Sequence, residues 1–135
     1  MEIIFSLEEI NTVAQKIIAN NPKKVILFNG NMGVGKTTLI KHLAKNLGVN
    51  ATTSSPTFSL VNEYQLPNNE YVYHFDVYRL KNETEALDFG IDDYLYSGNW
   101  CFIEWAENIP SLIPNEHSVI TIESLLNGKR KLILK

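Results

Sequence analysis

The chain has 135 residues, 44% hydrophobic and 20% charged, with a net charge of −3 and a pI near 5.6. That is the length of one domain with an ordinary globular composition, and the acid excess argues against a dedicated nucleic-acid binder, which shows a basic face. No apolar run approaches the roughly 18 residues of a membrane span, and Cys101, the single cysteine, excludes an internal disulfide and a cysteine-based zinc cluster.

Met1-Glu2-Ile3-Ile4-Phe5 has neither a basic flank nor a long apolar region, so it is not read as a secretory signal, and a soluble cytoplasmic protein is expected. Ser6 followed three residues later by Glu9 predicts a capping box, and Leu7, Ile10, Ala14, Ile17 and Ile18 mark one helical stripe that ends at Asn20-Asn21-Pro22. Lys24 to Phe28 is a short run of strand formers that leads into a glycine-rich loop. Thr38 to Leu47 follows, with Leu39, Leu43 and Leu47 at helical spacing and Gly48 as the stop. Ala51 to Thr57 is a polar loop. Phe58 to Tyr64 and Tyr71 to Asp76 are expected to pair as a hairpin around Pro67-Asn68-Asn69.

The acidic stretch from Lys81 to Ser97 predicts short helices around Glu83–Asp88 and Ile91–Leu95. Cys101-Phe102-Ile103-Glu104 reads as a continuously buried strand ending in a carboxylate, with the Cys101 thiol a core residue rather than a nucleophile. Pro110 and Pro114 confine any helix between them to a turn or two. His117 to Leu125 and Lys129 to Leu134 predict a last hairpin with Asn127-Gly128 as a type I′ turn. Strands alternating with crossover helices, plus hairpins, predict an α/β three-layer sandwich whose mixed sheet is parallel at its centre and antiparallel at its margins.

The chemistry concentrates in Gly30-Asn31-Met32-Gly33-Val34-Gly35-Lys36-Thr37, which fits G-x-x-x-x-G-K-[ST], the phosphate-binding P-loop. The glycines let successive backbone N–H groups turn inward toward phosphate oxygens. Lys36 then reaches the β- and γ-phosphates, the Thr37 hydroxyl is placed for Mg²⁺, and the helix N-terminus adds partial positive charge. Strand, glycine loop and helix occur in the order this mechanism needs.

Such a site requires a second carboxylate for the metal and for the attacking water, normally at the end of an apolar strand beside the P-loop strand. Glu104 and Asp76 both end such strands. Ser54-Ser55-Pro56-Thr57-Phe58 stands where nucleotide switches carry a γ-phosphate-sensing hydroxyl, or is simply a loop kinked at Pro56. Trp105 either stacks on a nucleotide base or belongs to the core. His74 is read as a satisfied core or packing histidine before a catalytic one, Lys41 and Lys45 as a solvated helix face, and the acids from Glu83 to Asp93 as either a docking face or a solvated helix pair.

Taken together, the glycine loop, Ser55-Pro56-Thr57-Phe58 with Leu60-Val61 and Tyr64, His74-Phe75-Asp76-Val77-Tyr78-Arg79-Leu80, and Ile103-Glu104-Trp105 closely resemble the TsaE (YjeE) family. The likeness runs over roughly residues 6 to 130. This resemblance implies a P-loop NTPase-like fold, binding of ATP and ADP with Mg²⁺, and weak intrinsic ATPase activity. It also implies partnership with a TsaD–TsaB pair that transfers threonylcarbamoyl to adenosine in tRNAs reading codons that begin with A, with tRNA met through that complex. On the same ground Lys36, Thr37 and Thr38 contact phosphate, Thr37 and Glu104 hold Mg²⁺, Asp76 is a carboxylate needed near the metal, Trp105 lies beside the base and Thr57 belongs to a switch-like loop. Asn31, Met32, Gly33, Val34 and Gly35 complete the nucleotide-binding loop. The family's Gly-Arg in the last hairpin meets Gly128-Lys129-Arg130 here, which leaves Lys129 and Arg130 as alternatives for the residue near the nucleotide. Ala106 stands where the family often has proline.

The two arginines, Arg79 and Arg130, bear on rate. An arginine at the transition-state charge is worth about 10³–10⁵ in phosphoryl transfer, and neither arginine lies in an obvious lid. Slow hydrolysis alone, accelerated in a complex, is the expectation. A stand-alone small-molecule or nucleotide kinase is the alternative, and the scarcity of arginine weighs against it. A GTP switch lacks its N-K-x-D base-reading motif, and a non-hydrolysing scaffold is opposed by intact Lys36, Thr37 and Glu104.

Overall fold

The computed structural model describes residues 1–49 and 60–135. Among these, seven strands form one sheet: β1 (Glu2–Phe5), β2 (Val25–Asn29), β3 (Val61–Gln65), β4 (Tyr71–Asp76), β5 (Trp100–Glu104), β6 (Ser118–Ser124) and β7 (Arg130–Leu134). Four α-helices connect them: α1 (Ile10–Ala19), α2 (Lys36–Leu47), α3 (Glu83–Asp88) and α4 (Ile91–Leu95). The strand order is β1-β7-β6-β2-β5-β4-β3. β4, β5, β2 and β6 run parallel, whereas β3, β7 and β1 pair antiparallel outside them, as the sequence predicts.

The central strands separate two cores by simple alternation. Ile26 and Phe28 of β2 and Phe102 of β5 face a core built with Ile10, Val13, Ala14 and Ile17 of α1 and Leu39, Ile40 and Leu43 of α2. Val25, Cys101 and Ile103 face the other way, against Ala86 of α3, Ile91 and Leu95 of α4 and Ile109. Strands buried on both faces read as unbroken apolar runs, which is why β2 and β5 are legible in the sequence. The helix pair on the first face is joined at its rim by Asn46, whose Nδ2 donates to Asn11 Oδ1 at 2.9 Å.

Local rules place most boundaries. Ser6 N–H donates to the Glu9 carboxylate at 2.9 Å, so the predicted cap forms, but a 3-10 turn at Leu7–Glu9 precedes α1 proper. Gly48, with φ of 117°, ends α2 in the left-handed conformation that favours glycine.

Two expectations change. β1, which the sequence reading passes over as a flank, pairs with β7 in register Glu2↔Ile133 to Phe5↔Arg130. Four residues at a sheet edge with an exposed Ile4 carry too little alternation to announce a strand. The last hairpin does not turn through a type I′ pair: Gly128 has φ of 77°, but Asn127 is not among the residues with positive φ. Gly128 N–H donates to the Leu125 carbonyl and Leu125 N–H to the Lys129 carbonyl, a longer loop with glycine as its left-handed residue. The predicted strand from Phe58 begins at Val61 among the described residues, and Ser54 to Phe58 lie outside them.

Burial of Cys101 in the second core pushes its thiol up from the ordinary 9.0 to about 12. Between those values the unfolded chain has released a proton that the folded chain keeps. Unfolding free energy therefore falls as pH rises through this window, by at most about 1.4 kcal/mol per pH unit from this group. Urea unfolding at pH 8, 9 and 10 is expected to show a shallower decline for Cys101→Ala than for the parent chain. Equal slopes would remove the assignment.

Candidate functional site

The P-loop joins β2 to α2, so it stands at the C-terminal end of the parallel strands, the edge where open α/β sheets bind ligands. Its first glycine is dictated by space and by backbone together. Gly30 has φ of 152°, and a Cβ there would lie 2.7 Å from the Ile122 carbonyl oxygen and 2.8 Å from Val34 Cγ1. Gly35, with φ of 111°, turns the chain into α2, whose first helical bond runs from Leu39 N–H to the Gly35 carbonyl at 2.9 Å.

A cleft of about 380 Å³ opens beside this loop, lined by Met32, Gly33, Gly35, Lys36, Thr37, Thr38, Asp76, Glu104 and Trp105. Its charged members are one lysine and two carboxylates, brought from three elements. Register explains how they meet. Glu104 of β5 is paired with Phe28 of β2 on one side and with Asp76 of β4 on the other. Glu104 follows Phe102, and Asp76 follows His74 and Val72, at intervals of two, so these side chains share the α1–α2 face of the sheet. The first turn of α2 lies over that face and carries Thr37.

Glu104 is buried, and its carboxylate is fully engaged. His74 Nε2 lies 2.7 Å from Oε2, while the Thr37 hydroxyl donates toward Oε1 at 3.2 Å and Oε2 at 3.3 Å. Asp76 is exposed at the cleft, and its Oδ1 accepts Tyr78 N–H at 3.1 Å. Lys36 is buried; its ammonium donates to the Gly30 carbonyl at 2.7 Å and sits 4.1 Å from the centre of the Trp105 ring. A cation over an indole face is electrostatically favourable, and these two contacts occupy the lysine where a phosphate would compete for it.

Trp105 itself has φ of 65°, an uncommon left-handed conformation for a residue with a side chain. This turn swings the ring back over Lys36 and onto Tyr78, with ring centres 4.9 Å apart. Two further links tie the loop after β4 to the loop after β5: Val77 N–H donates to the Glu104 carbonyl, and Asn108 Nδ2 donates to the Val77 carbonyl at 3.0 Å.

Sequence-predicted residues thus fall into distinct places. Lys36, Thr37, Thr38, Asp76, Glu104 and Trp105 converge on the cleft with Met32, Gly33 and Gly35. Trp105 stands at the lysine end of it. Asn31 and Val34 shape the loop instead: Val34 N–H donates to the Asn31 carbonyl, and the Val34 side chain is buried in the first core. Lys129 is exposed on the last hairpin and is not among the lining residues, whereas Arg130 Nε donates to the Val34 carbonyl at 2.6 Å, so Arg130 is the one of the two that reaches the loop. Thr57 lies outside the described residues.

In the acidic stretch, Glu83 accepts from Ser111 N–H and Oγ, and Glu85 accepts Lys81 N–H, which gives these two local structural work. His74, read from the sequence as a satisfied core or packing residue, is buried, bonded to Glu104 and not among the lining residues.

The donor set fits a divalent cation. A hydroxyl and a carboxylate are hard oxygen ligands, and neighbouring ligands on an octahedral Mg²⁺ stand about 3 Å apart. The 3.2 Å between Thr37 Oγ1 and Glu104 Oε1 is close to that spacing.

The glycine geometry gives a direct test. Gly30→Ala is expected to lower stability by about 1–3 kcal/mol, because the new methyl meets a carbonyl that cannot move aside and the backbone angle is strained. Gly33→Ala, which meets nothing within 4 Å, is expected to cost less. Thermal unfolding of both variants checks the order; a reversed order would contradict the packing described.

Comparison with known proteins bears on family and fold. The sequence model of the family described as "Threonylcarbamoyl adenosine biosynthesis protein TsaE" matches residues 4–132. The chain is similar to the tRNA threonylcarbamoyladenosine biosynthesis protein TsaE of Bacillus subtilis, 36% identical over 129 residues, covering 93% of this chain and 78% of that protein. It is also similar to the protein of the same name from Rickettsia bellii, 37% identical over 130 residues, covering 95% and 89%. The crystal structure of YdiB from Bacillus subtilis superposes with a TM-score of 0.75 at 28% identity, covering 98% of this chain and 82% of that one. Sequence and fold agree over nearly the whole length: the chain belongs to the TsaE family.

Proposed function

We propose that this chain is a single-domain ATPase that works as an accessory component in threonylcarbamoyl transfer to adenosine in tRNA. In this reading it acts with a TsaD–TsaB-like pair and meets tRNA through that complex. The observation that carries the reading is the convergence of Lys36, Thr37, Asp76 and Glu104 on one cleft at the mouth of a P-loop, in a chain of the TsaE family.

The residues have separable tasks. Backbone N–H groups of the loop and the N-terminus of α2 receive the β-phosphate. The Lys36 ammonium leaves the Gly30 carbonyl and the Trp105 ring for the β- and γ-phosphate oxygens, which offer it full negative charge. Thr37 and Glu104 are the residues that would hold Mg²⁺, and Asp76 stands beside Glu104 to orient water or the metal's hydration shell. Mg²⁺ supplies neutralisation of the phosphate oxygens when bound. The cleft calls for it, because its own charged groups, Lys36, Asp76 and Glu104, sum to −1 and a nucleotide polyphosphate is itself an anion.

Turnover alone should be slow. Arg130 gives its Nε–H to the Val34 carbonyl, Arg79 is exposed on the loop after β4, and neither is among the residues that line the cleft. Among the described residues Lys36 is the cation that lines it, and an arginine supplied by a partner would add to what Lys36 offers the charge spread over the γ-phosphoryl group.

ATP hydrolysis measured with the isolated chain and again with the TsaD–TsaB pair tests this. Slow hydrolysis alone and a rise of about tenfold or more with the pair are expected, with the stimulated rate lost in Glu104→Gln. An unchanged rate with the pair would overturn the accessory role, and absence of ATP binding would overturn the nucleotide reading itself.

A further inference from the structure

The shortest contact to the Glu104 carboxylate is made by a residue that is not among those lining the cleft. His74 and Glu104 are both buried, and their 2.7 Å bond is shorter than either contact from Thr37 to the same carboxylate. Hydroxyl–carboxylate bonds that are well formed measure about 2.5–2.8 Å, so the Thr37 contacts are loose and the His74 contact is tight.

We infer that His74 is a positioning residue for metal binding: its Nε2–H holds Glu104 Oε2 and thereby keeps Oε1 turned toward the Thr37 hydroxyl. The inference rests on the nucleotide reading above and adds a residue to it. An ionised carboxylate only accepts hydrogen bonds, so the proton of this bond belongs to Nε2. The strand register fixes the partner: His74 pairs with Phe102 and lies one step back, on the same face, from the Asp76–Glu104 pair. Across the hairpin, Asn62 is paired with His74, and its buried Oδ1 has no hydrogen-bond partner among the described residues, so the imidazole is turned to the carboxylate and not to this amide.

The consequence for binding follows from which contact is the weaker. A divalent cation entering between Thr37 and Glu104 replaces the loose contacts and leaves the tight one in place. Without the imidazole, the buried carboxylate loses its strongest donor and is free to rotate toward whatever donor remains. Partners of this kind behind a metal ligand are worth about 10–100-fold in metal affinity. The loss should appear as weaker Mg²⁺ dependence, not as weaker nucleotide binding in general, because His74 is not among the residues that line the cleft.

Calorimetric titration with ADP, once with Mg²⁺ and once with EDTA, separates the two. His74→Leu is expected to lose about tenfold or more of the affinity that Mg²⁺ adds, while affinity in EDTA stays within about twofold of the parent chain. His74→Gln, whose amide nitrogen reaches the place of Nε2, is expected to restore most of the Mg²⁺ effect. Nitrogen NMR of the nucleotide-free parent chain is expected to show the Nε2–H form of His74, and this measurement does not depend on either variant folding. An unchanged Mg²⁺ effect in His74→Leu, an equal loss in both variants, or an Nδ1–H form would each overturn the inference while leaving the nucleotide site intact. Failure of the parent chain to bind ADP would remove both.

Discussion

Glu104 is a carboxylate buried at the end of the central strand β5, and a charge in that position is costly unless it is hydrogen-bonded and paired. The fold meets that demand from two directions: the parallel register of β4 on β5 delivers His74, and the first turn of α2 delivers the Thr37 hydroxyl. The carboxylate is therefore both the electrostatic liability of the core and the point at which the P-loop helix is joined to the sheet. A group that supplies positive charge at Glu104 relieves that liability, which is why a metal-dependent site is a natural use of this arrangement.

Lys36 is held in a comparable balance. With the Gly30 carbonyl at 2.7 Å and the Trp105 ring at 4.1 Å, the lysine is buried and satisfied without an anion. Neither partner neutralises its charge, so an incoming phosphate gains by displacing them. Arg130 donates its Nε–H to the Val34 carbonyl and so braces the P-loop from the last hairpin.

Much of this was legible in the sequence, for reasons that differ by element. β2 and β5 are buried on both faces and so appear as continuous apolar runs, and α2 shows its helical period directly after the glycine loop. The short helices α3 and α4 fall where the acidic stretch predicts them, and in the structure Asn82 caps the first, its side chain accepting Glu85 N–H. β1 was not legible because an edge strand of four residues is defined by its partner β7 and not by its own pattern. The last turn was misread because Asn-Gly permits a type I′ turn without enforcing it. At the site, Glu104 and Asp76 were recognisable as strand-terminal acids, whereas Lys129 and Arg130 could be told apart only once the hairpin was placed against Val34. His74 stayed hidden because its partner is 30 residues away in sequence, and only the register of two parallel strands brings them together.

The central claim is that Thr37 and Glu104 act as one unit, joined by a contact that a divalent cation takes over. A double-mutant cycle on Mg²⁺-dependent ADP affinity, using Thr37→Val and Glu104→Gln, tests it most directly. The account predicts that the double variant loses little more than either single one, a coupling of roughly 1 kcal/mol or more for residues sharing one ligand. Losses that simply multiply would mean that the two side chains act separately, and would contradict the account.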